Sequence, residues 1–256
     1  MNQIVLANNV HATTREPNSR QRVGVTTKYV RRADDKGGWL GFKPLFPYKY
    51  DRVYLCEYTK LIMLRADSKY TAFKVMDGNG EYVGKEVALS NSNVPLYMSD
   101  VGPEKSGAIV RVKYSTLQDN VESKIRRLFF RQQWAVATFA GLSAQVTLNS
   151  VWNGIYTPIP PGKHKIMAPD YSHAHVSTAA YRAAHPGKVL CTDVWFPIAL
   201  EGTKVNSTRY LHVGHVSEGC VTFYELLKWS PLYDYLINKR VPNTAGKFIG
   251  ELIVEL

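Results

Sequence analysis

Hydrophobic and polar positions alternate with a period near two along most of this chain. From Trp39 onward the runs YDRVYLCEYTKLIMLRA, YTAFKVMD, EYVGKEVAL and GAIVRVKYS are short, β-branched and aromatic. Between them lie DGNG, SNSNVP and DVGPEKSG, turn-forming stretches at hairpin-like intervals. This half therefore reads as antiparallel β. One segment breaks the rhythm. In TLQDNVESKIRRLFFRQQWAVATFAGL, Val121, Ile125, Leu128 and Phe129 fall at helical spacing. The pattern predicts a helix over 117–140, capped by Asp119 or Asn120 and ended by Gly141. Strand texture returns in SAQVTLNSVWNGIYTPIPPGKHKIMAP, KVLCTDVWFPIALEG and RYLHVGH, with TPIPPG as a turn. Ser230-Pro231 opens a helix to about Lys239, and KFIGELIVEL closes as a strand.

The predicted class is mainly β with a few helices. Three regions follow: a polar basic arm over 1–38, a β-rich region over 39–115, and a mixed-sheet or β-sandwich domain over 116–256 bridged by the helix. No internal repeat is visible.

Composition sharpens this picture in three ways. Lys+Arg exceed Asp+Glu by 11, so an acidic partner or surface is expected. No apolar stretch reaches the length of a membrane span, and the N-terminus lacks the basic-then-apolar layout of a Sec signal. Three widely spaced cysteines, Cys56, Cys191 and Cys220, describe neither a disulfide framework nor a metal motif. Cys56 and Cys191 sit in apolar runs and read as buried core thiols.

Cys220 differs. A cysteine nucleophile needs a base within reach and donors for the oxyanion it generates. In RYLHVGHVSEGCVTFYE, His212 and His215 lie just upstream. If 209–213 is a strand and 214–219 a loop, either imidazole can reach the thiol. Gly219 permits a turn that aims its own amide and that of Cys220 into one pocket. A helix starting at TFYELLK would add positive potential. His173 and His175 have metal-like spacing without a third ligand, so a polar loop at a cleft edge is the better reading, with no metal and no cofactor. Tyr156 and Trp195 could line a substrate cleft.

The segment Leu211-His212, a loop, then Ser217-Glu218-Gly219-Cys220-Val221 resembles the active-site signature of the YkuD-type L,D-transpeptidase catalytic domain, in a compact, effector-like form. YTPIPPGKHKI is similar to the hairpin that precedes the site in that family, and DVWFPIALEGTKVNSTRYLHVG to the strand pair that delivers its histidine. The chain departs from the family in a shorter His-to-Cys loop, in Glu218 before the Gly-Cys, and in Thr222 after it. The resemblance implies that Cys220 is the nucleophile and His212 the base, with His215 as the rival. Gly219 and Ser217 would complete the catalytic turn; Tyr156, Trp195, Glu218 and Thr222 would contact substrate. The implied activity is L,D-transpeptidase or L,D-carboxypeptidase chemistry on peptidoglycan tetrapeptide stems through a Cys220 thioester. A secreted antibacterial effector toxin is the expected setting: made in the bacterial cytoplasm, delivered by a secretion apparatus such as type VI, acting in the periplasm and matched by a cognate immunity protein. Nucleic acid is not an expected partner.

Two rival classes stand beside this. A papain-like or NlpC-like peptidase places Cys before His, whereas none of the histidines here follows Cys220. A non-catalytic basic wall-binding module would carry the same charge with an inert thiol.

Overall fold

The computed structural model describes residues 26–33, 37–78, 80–176 and 178–256. Of the predicted arm, residues 1–25 and 34–36 lie outside the described residues. Strand accounts for 43% and helix for 10%, which places the chain in the mainly-β class.

Seven strands form an antiparallel sheet: β1 (Thr27–Val30), β2 (Trp39–Pro44), β3 (Val53–Cys56), β4 (Lys60–Ala66), β5 (Tyr70–Val75), β6 (Glu86–Ser90) and β7 (Met98–Ser99). Their spatial order is β3-β2-β6-β5-β4-β1-β7. A single-turn helix α1 (Val94–Tyr97) precedes β7. Phe42, Val53, Leu61, Phe73 and Val87 are fully buried and give this sheet its own core.

Eight further strands close into a barrel: β8 (Ala108–Ser123), β9 (Leu128–Phe139), β10 (Leu142–Asn149), β11 (Gly162–Met167), β12 (Phe196–Ala199), β13 (Arg209–Val213), β14 (Val221–Phe223) and β15 (Phe248–Glu255). The order around the barrel is β10-β14-β13-β12-β11-β15-β8-β9. The mixed sheet expected here is present and closes on itself. Two pairs are parallel, β13 with β14 and β15 with β8; the rest are antiparallel. Helix α2 (Ala179–Ala184) lies between β11 and β12. A 3-10 turn (Leu226–Lys228) leads from β14 into α3 (Trp229–Ile237). Trp229, Leu232, Tyr233 and Leu236 of α3 are buried in the barrel's apolar cluster.

The helix predicted over 117–140 does not form. That segment is β8 and β9, a long antiparallel ribbon. Ala108, Val110 and Val112 point inward while Ile109, Arg111 and Lys113 point out, the period of a strand. The residues at helical spacing sit near the ribbon tip, where Leu128 and Phe129 are exposed. Asp119 pairs with Arg131 at 3.2 Å. Asn120, at φ 55°, lies where the strand register shifts. Ala140-Gly141, with φ 46° and 76°, makes the tight turn into β10, not a helix end.

Two smaller expectations also change. The YTPIPPGKHKI segment is not a hairpin, because β10 pairs with β9 and β14 while β11 pairs with β12 and β15. Helix α3 begins at Trp229, and Ser230 does not cap it. The Ser230 hydroxyl instead donates to the Lys188 carbonyl and accepts the Leu190 N–H.

The sheet and the barrel meet along a packed seam. Trp39 and Cys56 belong to the apolar cluster of the barrel. Trp39 Nε1 donates to the Asp193 carbonyl at 2.9 Å. No helix among the described residues is long and apolar enough to cross a membrane.

Candidate active site

The parallel β13–β14 pair sets the site. Its register places Leu211 opposite Val221, His212 opposite Thr222, and Val213 opposite Phe223. Side chains alternate, so Leu211, Val213, Val221 and Phe223 enter the barrel core. His212 and Thr222 therefore face the other way, out through the barrel wall. Cys220 precedes β14 and joins Trp195 and Tyr210 in a separate small apolar cluster. Both Cys220 and His212 are 6% exposed. They line one cavity of ≈ 340 Å³ together with Arg126, Tyr181, Trp195 and Glu218.

The turn before the thiol is tightly held. Gly219 adopts φ +83°, the left-handed region that favours glycine. An ideal Cβ there would lie 2.3 Å from Arg209 Nη1 and 2.4 Å from the Thr157 carbonyl oxygen. Arg209 Nη1 donates to both that carbonyl, at 2.6 Å, and the Gly219 carbonyl, at 2.7 Å. The Ser217 hydroxyl donates to the Cys220 carbonyl at 3.0 Å, and the Ser217 N–H donates to Ser150 Oγ at 2.9 Å. Ser217 is fully buried, so it fixes the turn. The Pro-rich loop before β11 thus packs against the Cys220 turn through Thr157.

The imidazole of His212 has a defined tautomer. Nδ1 lies 3.0 Å from the Val213 carbonyl, which can only accept, so the ring proton sits on Nδ1. Nε2 lies 2.9 Å from Thr222 Oγ1 and accepts its hydroxyl. Burial pushes the His212 pKa down to about 4, so the ring is neutral near pH 7. Trp195 stacks on it at 4.1 Å, and His173 stacks on Trp195 at 4.3 Å. Tyr171 continues the column on His173 at 4.3 Å. His173 Nε2 reaches Asp170 at 3.3 Å.

Burial pushes the Cys220 thiol up to about 11, against the pull of the Tyr210 backbone N–H and the Arg209 charge. The resting pair is a neutral thiol and a neutral imidazole. The helix expected to start at TFYELLK does not form there, because β14 and the 3-10 turn intervene between Cys220 and α3. Tyr156 and Glu218 come together beside the turn, where the carboxylate raises the Tyr156 phenol pKa.

His215 is held elsewhere. Its Nδ1 shares a 2.7 Å hydrogen bond with Ser123 Oγ, and its ring stacks on Tyr224 at 3.9 Å. It lines a different cavity of ≈ 690 Å³, with His185 and Leu226. Burial lowers its pKa to about 4. Cys56 and Cys191 are buried in the barrel cluster. His173 is buried in the ring column, while His175, its ring stacked on His173 at 5.9 Å, also lines a cleft described below.

Sequence reasoning missed Arg126, Arg209, Tyr171 and Tyr210. Arg126 reaches the site only because the β8–β9 tip folds over it, and no local motif marks that. Arg209 and Tyr210 stood inside the quoted segment, where strand alternation could have assigned them. No protein-family model, curated protein or solved structure matches this chain.

Proposed function

We propose that this protein is a cysteine-dependent acyltransferase or hydrolase of peptidoglycan stem peptides, with L,D-transpeptidase or L,D-carboxypeptidase activity. The observation that carries the reading is one cavity lined by both Cys220 and His212, the imidazole proton held on Nδ1 by the Val213 carbonyl. That arrangement leaves Nε2 as the base and supplies the orienting acceptor that a His-activated thiol requires.

In the proposed reaction, substrate displaces the Thr222 hydroxyl from Nε2. The Cys220 proton passes to Nε2 as sulfur attacks the carbonyl that precedes the terminal D-Ala. The amides of Gly219 and Cys220 receive the oxyanion. The C–N bond breaks, His212 returns the proton to the departing amine, and a thioester remains. Water or an amine then attacks the thioester and restores the thiol. Because thiol and imidazole are both neutral at rest, proton transfer and attack are coupled. Arg126, at the cavity wall, supplies the cation for the terminal carboxylate, a role that Glu218 and Thr222 cannot fill. Trp195 forms an apolar wall of the cavity, and Tyr156 stands beside Glu218. Delivery as an antibacterial effector, with a secretion apparatus and an immunity protein, is part of the same proposal.

The test is incubation with purified disaccharide-tetrapeptide followed by mass spectrometry. Loss of D-Ala marks hydrolysis, and crosslinked dimers mark transfer. Cys220→Ala and His212→Ala should abolish both. If His215→Ala alone does so, the base is misassigned.

One observation favours a second reading, a non-catalytic wall-binding module: the thiol is buried and its pKa is raised. Carbapenem-type acylation separates the two. The enzyme reading expects Cys220 to be acylated ahead of Cys56 and Cys191; the binding-module reading expects no preference.

A further inference from the structure

A second concavity, of ≈ 800 Å³, lies where the seven-stranded sheet meets the 171–175 segment of the barrel. That volume falls within the range of about 300–1,000 Å³ usual for ligand sites. Six of its wall residues are aromatic: Trp39, Tyr48, Tyr50, Tyr54, Tyr82 and Tyr171. Among the described residues, no Leu, Ile, Val or Met side chain lines it. Tyr50, Tyr54 and Tyr171 are 57%, 44% and 47% exposed, respectively. Large aromatic surfaces left in water together mark a binding surface more often than chance exposure. The floor is preorganised. The Tyr48 and Tyr82 hydroxyls share a 2.7 Å hydrogen bond, and their rings meet edge to face at 5.9 Å. Tyr50 stands edge-on to Tyr48 at 5.6 Å. Asp51, Arg52, Ser172 and His175 supply donors and acceptors around these rings.

Flat aromatic faces without aliphatic lining, ringed by short polar groups, suit a sugar chain. The C–H faces of pyranose rings stack on aromatics, while hydroxyl and acetamido groups take the polar rim. An amphipathic helix or a second copy of this chain would call for aliphatic walls, which are missing. A column of stacked rings runs from the wall of the cleft to the wall of the Cys220 cavity. Tyr171 belongs to its wall and is the outer ring of the column Tyr171–His173–Trp195–His212.

We infer that this cleft is a glycan subsite, which holds an N-acetylated amino-sugar strand while its attached peptide enters the Cys220 cavity. The inference rests on the peptidoglycan reading for the identity of the strand. The probe is N-acetylchitotetraose, a peptide-free chain of N-acetylated sugars, titrated calorimetrically into the full chain. Wild type and Cys220→Ala should bind it equally. Tyr50→Ala and Tyr54→Ala should weaken binding at least tenfold while the circular dichroism spectrum is retained. Absence of wild-type binding overturns the inference, as do Tyr50→Ala and Tyr54→Ala variants that bind like wild type. Binding of a proline-rich peptide in place of the sugar overturns it too, since such peptides also use aromatic grooves. The two readings fail separately. A wild type that cleaves tetrapeptide but ignores the sugar loses only the subsite. One that binds the sugar but leaves tetrapeptide intact keeps the subsite and loses the enzyme.

Discussion

A Cβ at position 219 has nowhere to go. It would press on Arg209 and on the Thr157 carbonyl at distances no real Cβ shows, in a left-handed conformation costing about 1–2 kcal/mol by itself. Gly219→Ala should therefore displace the Cys220 turn, lower Tm and cut turnover on the order of 100-fold. Gly202→Ala is the control: the same backbone region, φ +78°, with open space around the new methyl. If both variants keep full turnover, the turn is not part of the catalytic geometry. The base carries its own signature. With His212 pushed down to about 4 by burial, the acid limb of kcat/KM should fall near pH 4, well below an ordinary histidine. A limb near 6.5 would point to a different base or to an open, solvated site. Cys220, His212 and Gly219 were legible in the sequence because their chemistry lies within one short segment. The Val213 carbonyl and the Thr222 hydroxyl as partners of the imidazole were not. The first depends on the ring's rotamer over its own strand, and the second on a parallel register between β13 and β14, which no residue in the segment announces.

The β8–β9 ribbon shows how an element escapes a local reading. Val121, Ile125, Leu128 and Phe129 repeat as a helix would, yet their period comes from a tip where the register shifts and alternation is lost. The strand signal is clear only in 108–114 and 134–139, on either side. What holds the middle together is pairing across the ribbon and the Asp119–Arg131 contact, both between strands. This misreading hid a cavity-lining residue, since Arg126 lies in the turn that the ribbon carries over the cavity. Arg126→Ala should raise KM for a carboxylate-terminated tetrapeptide about tenfold, with a smaller change in kcat. The wild-type KM should rise with salt and the variant's much less. A salt-independent wild-type KM would remove Arg126 from substrate binding.

At the scale of the whole molecule, the boundaries drawn from texture shifted. The first sheet recruits Thr27–Val30 and ends at Ser99, and the barrel starts at Ala108. Residues 108–115 look like the strands before them, so composition has no edge at the handover. The edge is set by pairing of β8 with β15 at the far end of the chain. The seam between the two bodies is specific: Trp39→Ala, at a 2% exposed site bonded to Asp193, should cost about 3–5 kcal/mol in urea unfolding. A loss below about 1 kcal/mol would mean the bodies are loosely docked.

Acid stability is the global consequence of two buried imidazoles whose pKa values burial lowers. His212 and His215 both have folded pKa values lowered to about 4 by burial, against about 6.5 in the unfolded chain. Between those values the unfolded chain binds more protons, so stability is fully present above about pH 6.5 and declines as pH falls toward 4. Each group contributes a slope of about 1.4 kcal/mol per pH unit inside that window. Glu57 and Asp77, raised by burial, bind protons more readily when folded and act in the opposite sense. The clean readout is consequently a difference. In urea titrations from pH 4.5 to 6.5, His215→Asn should flatten the decline by one group's slope relative to wild type. Parallel curves for the two proteins would mean that His215 is protonated in the fold, at odds with its packing against Tyr224 and Ser123.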